Sequence, residues 1–325
     1  MKHYAVLTLP IEIVAEIFVH FLPVYPRCPP LVGIGSPTLL TQICRHWREI
    51  TLATPALWRG ISLFDGSSLE FEYQVAIADR WLGRSRSLPV SIRLRASGVN
   101  LSSFFAAIIP HRPRWEYLSM EVEAPKEVLA IDGPMPLLRH LDLDLSLVED
   151  DALVVFKHAP LLRTVLVDFA AARLTLPWAQ LTSLTLNGLW AFECVSVLRL
   201  ALNLVHCDLF VAEGYYLEPA TLDVTLARLE SLKLKVPTLR ATPLGGALIL
   251  PALRRLTVGE RIPNPDVIPT LAAFIAQAGC TRLEEVCVAE LVSEEEYRAA
   301  FPSIRTFTFV DQRTLMDLSS RFSYS

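Results

Sequence analysis

The sequence of 325 residues lacks any long uncharged apolar run. Its best candidates, Phe104 to Pro110 and Leu271 to Cys280, fall short of the roughly 18 to 20 residues that a transmembrane helix needs. Excess positive charge is also missing, because 30 Lys and Arg stand against 34 Asp and Glu, for a net charge of −4. Proteins that bind a phosphate backbone carry clustered positive charge. We therefore predict that membranes and nucleic acid are not partners of this chain.

Motifs for catalysis and cofactor binding are missing as well. The sequence has no Gly-rich phosphate loop, no His-Glu-x-x-His, no nucleophile elbow and no Cys-x-x-Cys. The six cysteines are scattered, which is typical of reduced thiols in a cytoplasmic or nuclear protein. The adjacent His206 and Cys207, and the more widely spaced Cys280 and Cys287, lack further ligands at zinc spacing. We predict a protein that is not an enzyme and holds no cofactor or metal.

The N-terminal segment has some features of a secretory signal. Lys2 and His3 precede an apolar stretch, as the charged start of a signal peptide does. Glu12 and Glu16 interrupt that stretch, and no Ala-x-Ala-like cleavage site follows it. We expect no signal peptide, and a cytoplasmic or nuclear location.

A repeated apolar pattern fills the chain from about residue 113 onward. The motif is Pro-x-Leu-x-x-Leu-x-Leu, with other residues replacing some of the prolines and leucines. It occurs nine times, and successive copies begin 19 to 30 residues apart. Each Leu-x-Leu alternates apolar and polar positions, as a strand with one buried face does. The predicted strands centre on Leu118-Ser119-Met120, Leu141-Asp142-Leu143, Val165-Leu166-Val167, Leu184-Thr185-Leu186, Cys207-Asp208-Leu209, Leu232-Lys233-Leu234, Leu256-Thr257-Val258, Val286-Cys287-Val288 and Phe307-Thr308-Phe309, and a tenth, degenerate unit begins with Val90, Ile92 and Leu94.

Helical patterns occupy some of the segments between these strands. Val195, Leu198 and Leu202 recur at helical spacing, and so do Leu271, Phe274, Ile275 and Ala278. A further helix is predicted over residues 294–300, with Ser293 as its N-cap and Glu296 at the capping-box position. Strands alternating with helices predict parallel strands and an α/β class.

This part of the chain resembles leucine-rich-repeat proteins over roughly 210 residues. The resemblance implies a curved solenoid whose parallel strands line the concave face. Regular members carry Asn or Cys three residues after the last strand leucine, whereas the corresponding positions here hold Ser146, Ala170, Leu189, Ala212 and Pro237. We therefore predict an irregular solenoid, with gaps in strand pairing around the 30-residue repeat that contains Pro263, Pro265 and Pro269.

The first sixty residues lack the repeat and form a separate module. Residues 9–18 predict a helix that has Pro10 in its first turn and Val14, Ile17, Phe18 and Phe21 on one face. After a proline-rich loop, Ser36 and Pro37 predict the start of a second helix, on which Leu40, Ile43, Trp47 and Ile50 are in register. Thr54-Pro55 then begins a short turn with Leu57 and Trp58.

The module resembles the F-box, in a form that mushroom-forming fungi carry in large numbers. The resemblance is carried by Leu9-Pro10, Ile13, Ile17-Phe18, Leu39-Leu40, Ile43-Cys44, Trp47-Arg48, Ile50 and Leu57-Trp58. Two features depart from the family: Ile11 stands where an acidic residue commonly follows Leu-Pro, and the loop from Pro23 to Ser36 is longer than in the compact form.

The resemblance implies binding to a Skp-type adaptor, and through it to a cullin. Leu9, Pro10, Ile13 and Ile17 are the implied direct contacts. Trp47 and Trp58 are assigned to the same interface, with internal packing as the alternative for both, because buried tryptophan serves either role. Sixty residues cannot bury all of these apolar side chains internally, so a partner is expected to cover the remainder.

Polar strand positions are the expected target-binding surface. We predict them to be exposed on the concave face, acidic in the early repeats and basic in the later ones. The acidic candidates are Asp142, Asp144, Asp168 and Asp208, and the basic candidates are Lys233, Lys235 and Arg255. Such a surface would suit a target with separated positive and negative regions.

Together these patterns predict an F-box module over residues 1–60, a connecting helix or linker over 61–88 and a leucine-rich-repeat-like domain over 89–325. The expected function is the substrate-recognition subunit of a cullin ubiquitin ligase, whose repeats bind a protein target of unknown identity. The alternative is a leucine-rich-repeat interaction scaffold without ligase function.

Overall fold

The structure is a computed structural model that describes residues 9–64, 67–96, 100–122, 131, 133–144, 154–168, 174–212, 224–236, 239, 247–260, 266–289 and 294–310. It divides into two compact units, residues 1–162 and residues 163–325. The first unit contains the N-terminal helices together with four long strands, so its limits differ from the predicted boundaries at 60 and 88.

Three helices and a 3-10 turn open the first unit. Their bounds are Ile11–Phe21 (α1), Pro37–Ile43 (α2), Arg45–Ala53 (α3) and Pro55–Trp58 for the 3-10 turn. The single helix predicted after Ser36 is wrong, because the chain turns at Cys44, where the backbone is extended. The Cys44 Sγ then accepts a hydrogen bond from the Trp47 N–H at 3.4 Å and caps α3.

Parallel strands follow in the same unit. Their bounds are Gly60–Phe64 (β1), Val90–Ala96 (β2), Trp115–Val122 (β3), His140–Asp144 (β4) and the two-residue Val154–Val155 (β5). Strands β1 to β4 pair in sequence order. Helices Phe71–Arg84 (α4) and Ser102–Ile108 (α5) lie between them in sequence. The degenerate repeat predicted at Val90 is confirmed as β2.

Strand β1 occupies part of the segment predicted as a linker. Its Ile61 and Leu63 alternate with Ser62 and pair with Ile92 and Leu94 of β2. The side chain of Gln74 from α4 caps this strand, since its amide accepts from the Phe64 N–H at 3.0 Å and donates to the Phe64 carbonyl at 2.8 Å. A side-chain amide thus replaces a neighbouring strand at this edge.

The second unit is built on seven further parallel strands that pair in sequence order. Their bounds are Thr164–Asp168 (β6), Ser183–Leu189 (β8), His206–Val211 (β9), Ser231–Val236 (β11), Arg255–Glu260 (β13), Glu285–Ala289 (β14) and Thr306–Val310 (β15). Two-residue strands lie at Leu174–Thr175 (β7), Val224–Thr225 (β10) and Leu248–Ile249 (β12).

The predicted strand phase is confirmed for all nine copies of the motif. Within each unit, equivalent core positions pair directly: Leu118 with Leu141, Leu184 with Cys207, and Cys207 with Leu232. The first and third residues of each copy from Leu118 to Leu256 are buried. A single apolar face therefore runs from strand to strand in each unit and forms its core.

The three helices predicted between strands of this unit are all present. Their bounds are Ala191–Leu198 (α6), Val267–Gln277 (α7) and Glu294–Ala300 (α8). Leu202, assigned to the first of them, lies beyond its end and is exposed. The predicted gap in pairing is also wrong, because β13 and β14 pair from Arg255/Glu285 to Val258/Val288. Pro269 is accommodated in the first turn of α7, where a helix tolerates proline. The α/β class is confirmed.

Candidate partner-binding surfaces

Helix α1 carries a stripe of exposed apolar side chains. The helix begins after Pro10, whose carbonyl accepts hydrogen bonds from the N–H groups of Ile13 and Val14, both at 3.1 Å. The stripe consists of Leu9, Ile13, Ile17 and Phe21, four residues apart and each between 37% and 50% exposed. We call these four residues the α1 stripe. Pro10 at the start of the helix is exposed as well.

The neighbouring face of α1 holds the helix in place. Val14 and Phe18 are buried, and the Phe18 ring packs against Trp47 of α3 with ring centroids 4.8 Å apart. The predicted common face of Val14, Ile17, Phe18 and Phe21 therefore splits in two. Val14 and Phe18 face the protein, whereas Ile17 and Phe21 face solvent. One row of apolar residues on this helix therefore packs inside the unit, and the adjacent row is exposed to solvent.

The two tryptophans of the predicted interface have different surroundings. Trp47 is half-buried, and the Trp58 side chain is fully buried. The Trp58 Nε1 donates to the Thr51 carbonyl at 2.9 Å, and its ring meets Trp81 of α4 edge-on at 5.4 Å. Trp58 thus packs internally, and its assignment as an adaptor contact is corrected. A tryptophan whose ring is packed and whose N–H is hydrogen-bonded inside the unit has no surface or donor available to a partner.

The strand positions predicted to bind a target are less exposed than expected. Asp142, Asp168 and Lys235 are buried, at 5% to 7% exposure, so their assignment to an exposed face is corrected. Asp144, Asp208 and Lys233 are partly exposed, and Arg255 is exposed.

Strand register explains how carboxylates tolerate this burial. Ser119 is paired with Asp142 and donates a hydrogen bond to its carboxylate at 2.8 Å. Asn187 is paired with Asp168 and donates to it at 2.6 Å. Parallel strands place such partners about 4.8 Å apart, within reach of short side chains. These carboxylates are therefore already hydrogen-bonded within the protein when no target is bound.

Ion pairs follow the same rule. Lys233 is paired with Asp208 across β9 and β11, and the Lys233 Nζ lies 3.0 Å from the carboxylate. In the first unit, the Arg95 Nε lies 3.2 Å from the Glu121 carboxylate, across β2 and β3. The predicted division into acidic and basic regions is thus partly neutralised between neighbouring strands. Arg255 stays as an exposed charge on the later strands.

One polar cluster in the first unit is not predicted by the sequence patterns. The Glu116 carboxylate accepts a hydrogen bond from the Tyr25 hydroxyl at 2.9 Å and pairs with Arg59 at 3.6 Å and Arg139 at 3.3 Å. These residues come from four distant segments of the sequence. Glu116 precedes the Leu-x-Leu of its copy, where the motif allows any residue, so periodicity gave no signal for it.

Cys28, Cys194 and Cys280 have the properties of structural thiols. All six cysteines are free, and burial raises the pKa of Cys28 and Cys280 to about 11 and that of Cys194 to about 12. A raised pKa keeps the thiol protonated and unreactive. Within the described ranges, no group of three His, Cys, Asp or Glu side chains is arranged to hold a metal ion. The described helices include none that is both long and apolar enough to cross a membrane.

Comparison with known proteins adds no family assignment. No model of a protein family matches the chain, and no curated protein matches it.

Proposed function

We propose that this chain is the substrate-recognition subunit of a cullin-type ubiquitin ligase. In this proposal the α1 stripe binds a Skp-type adaptor that links the chain to a cullin, and the strand-bearing part binds a protein target. The observation that carries the proposal is the exposure of the α1 stripe, on a helix that begins directly after Leu9-Pro10.

The apolar character of the stripe supports a protein partner. Scattered exposed apolar residues are ordinary on a protein surface, whereas a contiguous row marks an interaction site. Covering the remaining surface of an isoleucine or leucine contributes roughly 1 kcal/mol per side chain. A row at four-residue spacing is the pattern that a helix presents when it docks in an apolar groove.

The receptor makes no bond itself in this proposal. It holds the target close to the enzyme that carries ubiquitin, so a slow bimolecular encounter becomes a reaction within one complex. The residues that recognise the target are drawn from the strand face opposite the buried apolar face, which we call the open strand face of each unit. Asp144 reaches solvent there in the first unit, and Asp208, Lys233 and Arg255 do so in the second. The buried Asp142, Asp168 and Lys235 support that face rather than contact the target.

The proposal is tested by placing a charge in the stripe. Ile13→Asp and Ile17→Asp should each abolish capture of a purified Skp-type adaptor by the full chain, because an unpaired carboxylate in an apolar groove costs several kcal/mol. The matched control is Ile11→Asp, which changes a more exposed isoleucine (56%) on another side of the same helix. It should keep the adaptor. Full adaptor capture by folded Ile13→Asp would contradict the interface.

A further inference from the structure

The loop between α1 and α2 lies against the strands of the first unit. We call residues 22–36 the strap. Among its contacts are Gly60, Ser91 and Tyr117, which form a row of paired residues, one from each of β1, β2 and β3. The strap contains Pro23, Pro26, Pro29 and Pro30, whose rings limit the conformations of the backbone.

Tyr25 is the first anchor of the strap. Its hydroxyl donates to the Glu116 carboxylate at 2.9 Å, and its ring meets Tyr117 edge-on at 5.6 Å. The Arg59 guanidinium lies 3.7 Å from the centre of the Tyr25 ring, a cation–π contact. Burial and the bond to Glu116 raise the Tyr25 pKa, so the hydroxyl stays protonated and able to donate.

The middle of the strap makes a close backbone contact with β1 and β2. The Cys28 Sγ lies 3.7 Å from the Ser91 carbonyl oxygen, within range of a weak hydrogen bond. A Cβ placed on Gly60 would lie 3.1 Å from the Cys28 Cα and 3.0 Å from the Pro29 Cδ. These distances are shorter than most Cβ contacts, so a larger residue at position 60 would push the strap away by a few tenths of an ångström.

The end of the strap is tied to α2. The carbonyl of the buried Leu31 accepts hydrogen bonds from the Ser36 Oγ at 2.9 Å and the Thr38 Oγ1 at 3.0 Å. The Ser36 Oγ also accepts from the Thr38 N–H at 3.1 Å and caps α2. The strap is therefore hydrogen-bonded to α2 at its end, and at its start it follows α1 directly in the chain.

We infer that the strap is a positioning element that locks α1 and α2 onto β1–β3 and lies outside the adaptor interface. Tyr25 is its principal positioning residue. The strap gives the α1 stripe a fixed orientation relative to the open strand face of the same unit. A role of this orientation in presenting a target to the ligase rests on the proposed function. The attachment of α1 and α2 to the strands through the strap does not depend on that function.

Hydrogen exchange of the full chain separates positioning from general stability. In Tyr25→Ala the amides of α1 and the strap should exchange at least ten-fold faster, because the helix can then open while the sheet stays folded. The amides of β2 and β3 should change by less than two-fold. Tyr25→Phe removes only the hydroxyl and should accelerate amide exchange in α1 and the strap about three-fold. This milder variant keeps the test valid if the alanine variant misfolds. Val24→Ala is the matched control, because the neighbouring Val24 is 82% exposed, and it should change neither region.

Two outcomes would overturn the inference. One is equal acceleration of α1 and of β2–β3 in Tyr25→Phe, which would make Tyr25 a general stability residue. The other is unchanged exchange of α1 in both Tyr25 variants. Adaptor binding is measured separately: Val24→Ala and Ile34→Ala should keep the wild-type dissociation constant within two-fold, and a ten-fold loss would place the strap inside the interface. If wild type binds no adaptor, the proposed function fails while the exchange result still decides the strap.

Discussion

Polar side chains on the strands of this protein are paired according to register. Asp142 and Asp168 carry formal charges, yet both are buried and accept hydrogen bonds from a neighbouring strand. A buried carboxylate is tolerated only when its oxygens are hydrogen-bonded. We therefore expect such residues to contribute to the stability of the protein and not to direct recognition of a partner.

Removing one of these carboxylates should cost stability. Asp142→Ala leaves the Ser119 hydroxyl without its acceptor and a cavity beside it, so the free energy of unfolding should fall by about 1 to 3 kcal/mol. Asp142→Asn retains an oxygen that accepts from Ser119 and should cost less. Urea unfolding of both variants measures the difference, and an alanine variant as stable as wild type would show that the hydrogen bond contributes nothing.

The buried His140, two residues before Asp142, should make the stability of the protein depend on pH. Burial lowers the pKa of the His140 imidazole to about 4, from 6.5 for the unperturbed group. Between these two values the unfolded chain binds a proton that the folded chain does not. The free energy of unfolding should therefore fall as pH drops from 6.5 to 4, by up to about 3 kcal/mol from this residue. Above pH 6.5 the contribution is constant.

The His140→Asn variant isolates that contribution. Asparagine does not titrate, so urea unfolding at pH 7, 5.5 and 4.5 should give a shallower loss of stability in the variant than in wild type. The carboxylates that titrate at low pH are common to both proteins and cancel in the comparison. Equal losses over the range would mean that folding does not lower the pKa of His140.

At the scale of elements, each strand divides its residues between a packed face and an open face. Leu184 of β8 is buried and pairs with Val165 and Cys207 on the adjacent strands, whereas the next residue, Thr185, is half-buried on the other face. Alternation of this kind makes neighbouring positions very unequal in energy.

The inequality is measurable by substitution. Leu184→Ala should lower the free energy of unfolding by roughly 2 to 5 kcal/mol, because it leaves a cavity among packed strands. Thr185→Ala, one residue further along, should change it by about 0.5 kcal/mol or less. Chemical denaturation of the two variants under one condition provides the comparison. Similar losses at the two positions would contradict the alternation of faces.

At the scale of the whole molecule, two partners are proposed to bind different surfaces. The α1 stripe lies in the first unit, and the exposed Arg255 and the partly exposed Lys233 lie in the second. A variant that loses the adaptor should therefore keep the target. A ligase receptor needs both partners, whereas a scaffold without ligase function needs only the target, so separate loss of the adaptor distinguishes the two functions.

Affinity purification from cells with the proteasome blocked tests it. Wild type should capture both a Skp-type adaptor and ubiquitin-modified target, whereas Ile13→Asp should capture the target without the adaptor and without the modification. Ile11→Asp should behave as wild type. A target that is captured but unmodified by wild type would favour the scaffold.

Charge reversal on the second unit then tests the recognition surface. Lys233→Glu combined with Arg255→Glu should weaken capture of the identified target several-fold at low salt and leave the adaptor bound, because complementary charge steers and specifies binding. Lys235 is left unchanged, since a buried side chain replaced by a carboxylate would unfold the strand. Undiminished capture would remove this basic region from the recognition surface.

Local patterns in the sequence determined the strands and the exposed helix. The Leu-x-Leu repeats predicted all nine strands in phase, and β2 as a tenth, because alternation along one strand is a property of consecutive residues. The helix over residues 294–300 was predicted for the same reason. In α1 the predicted apolar face was only partly right, because it joined the buried Val14 and Phe18 to the exposed Ile17 and Phe21. Leu9 and Ile13 were named through the family resemblance and not through periodicity. The short Ile61-Ser62-Leu63 alternation of β1 carried the same signal and was missed.

Only the tertiary structure decided which side chains stay free. Asp142 was predicted to be exposed from its place in the strand, but register set Ser119 beside it from a copy of the motif 23 residues earlier. The sequence allowed Trp58 to be either an interface residue or an internal one, and contacts with Trp81 and Thr51 make it internal. The strap is held against the strands by the hydrogen bond between Tyr25 and Glu116, which are 91 residues apart. The physical reason is common to these cases: periodicity fixes the face on which a residue lies, whereas burial and pairing depend on residues that folding alone brings together.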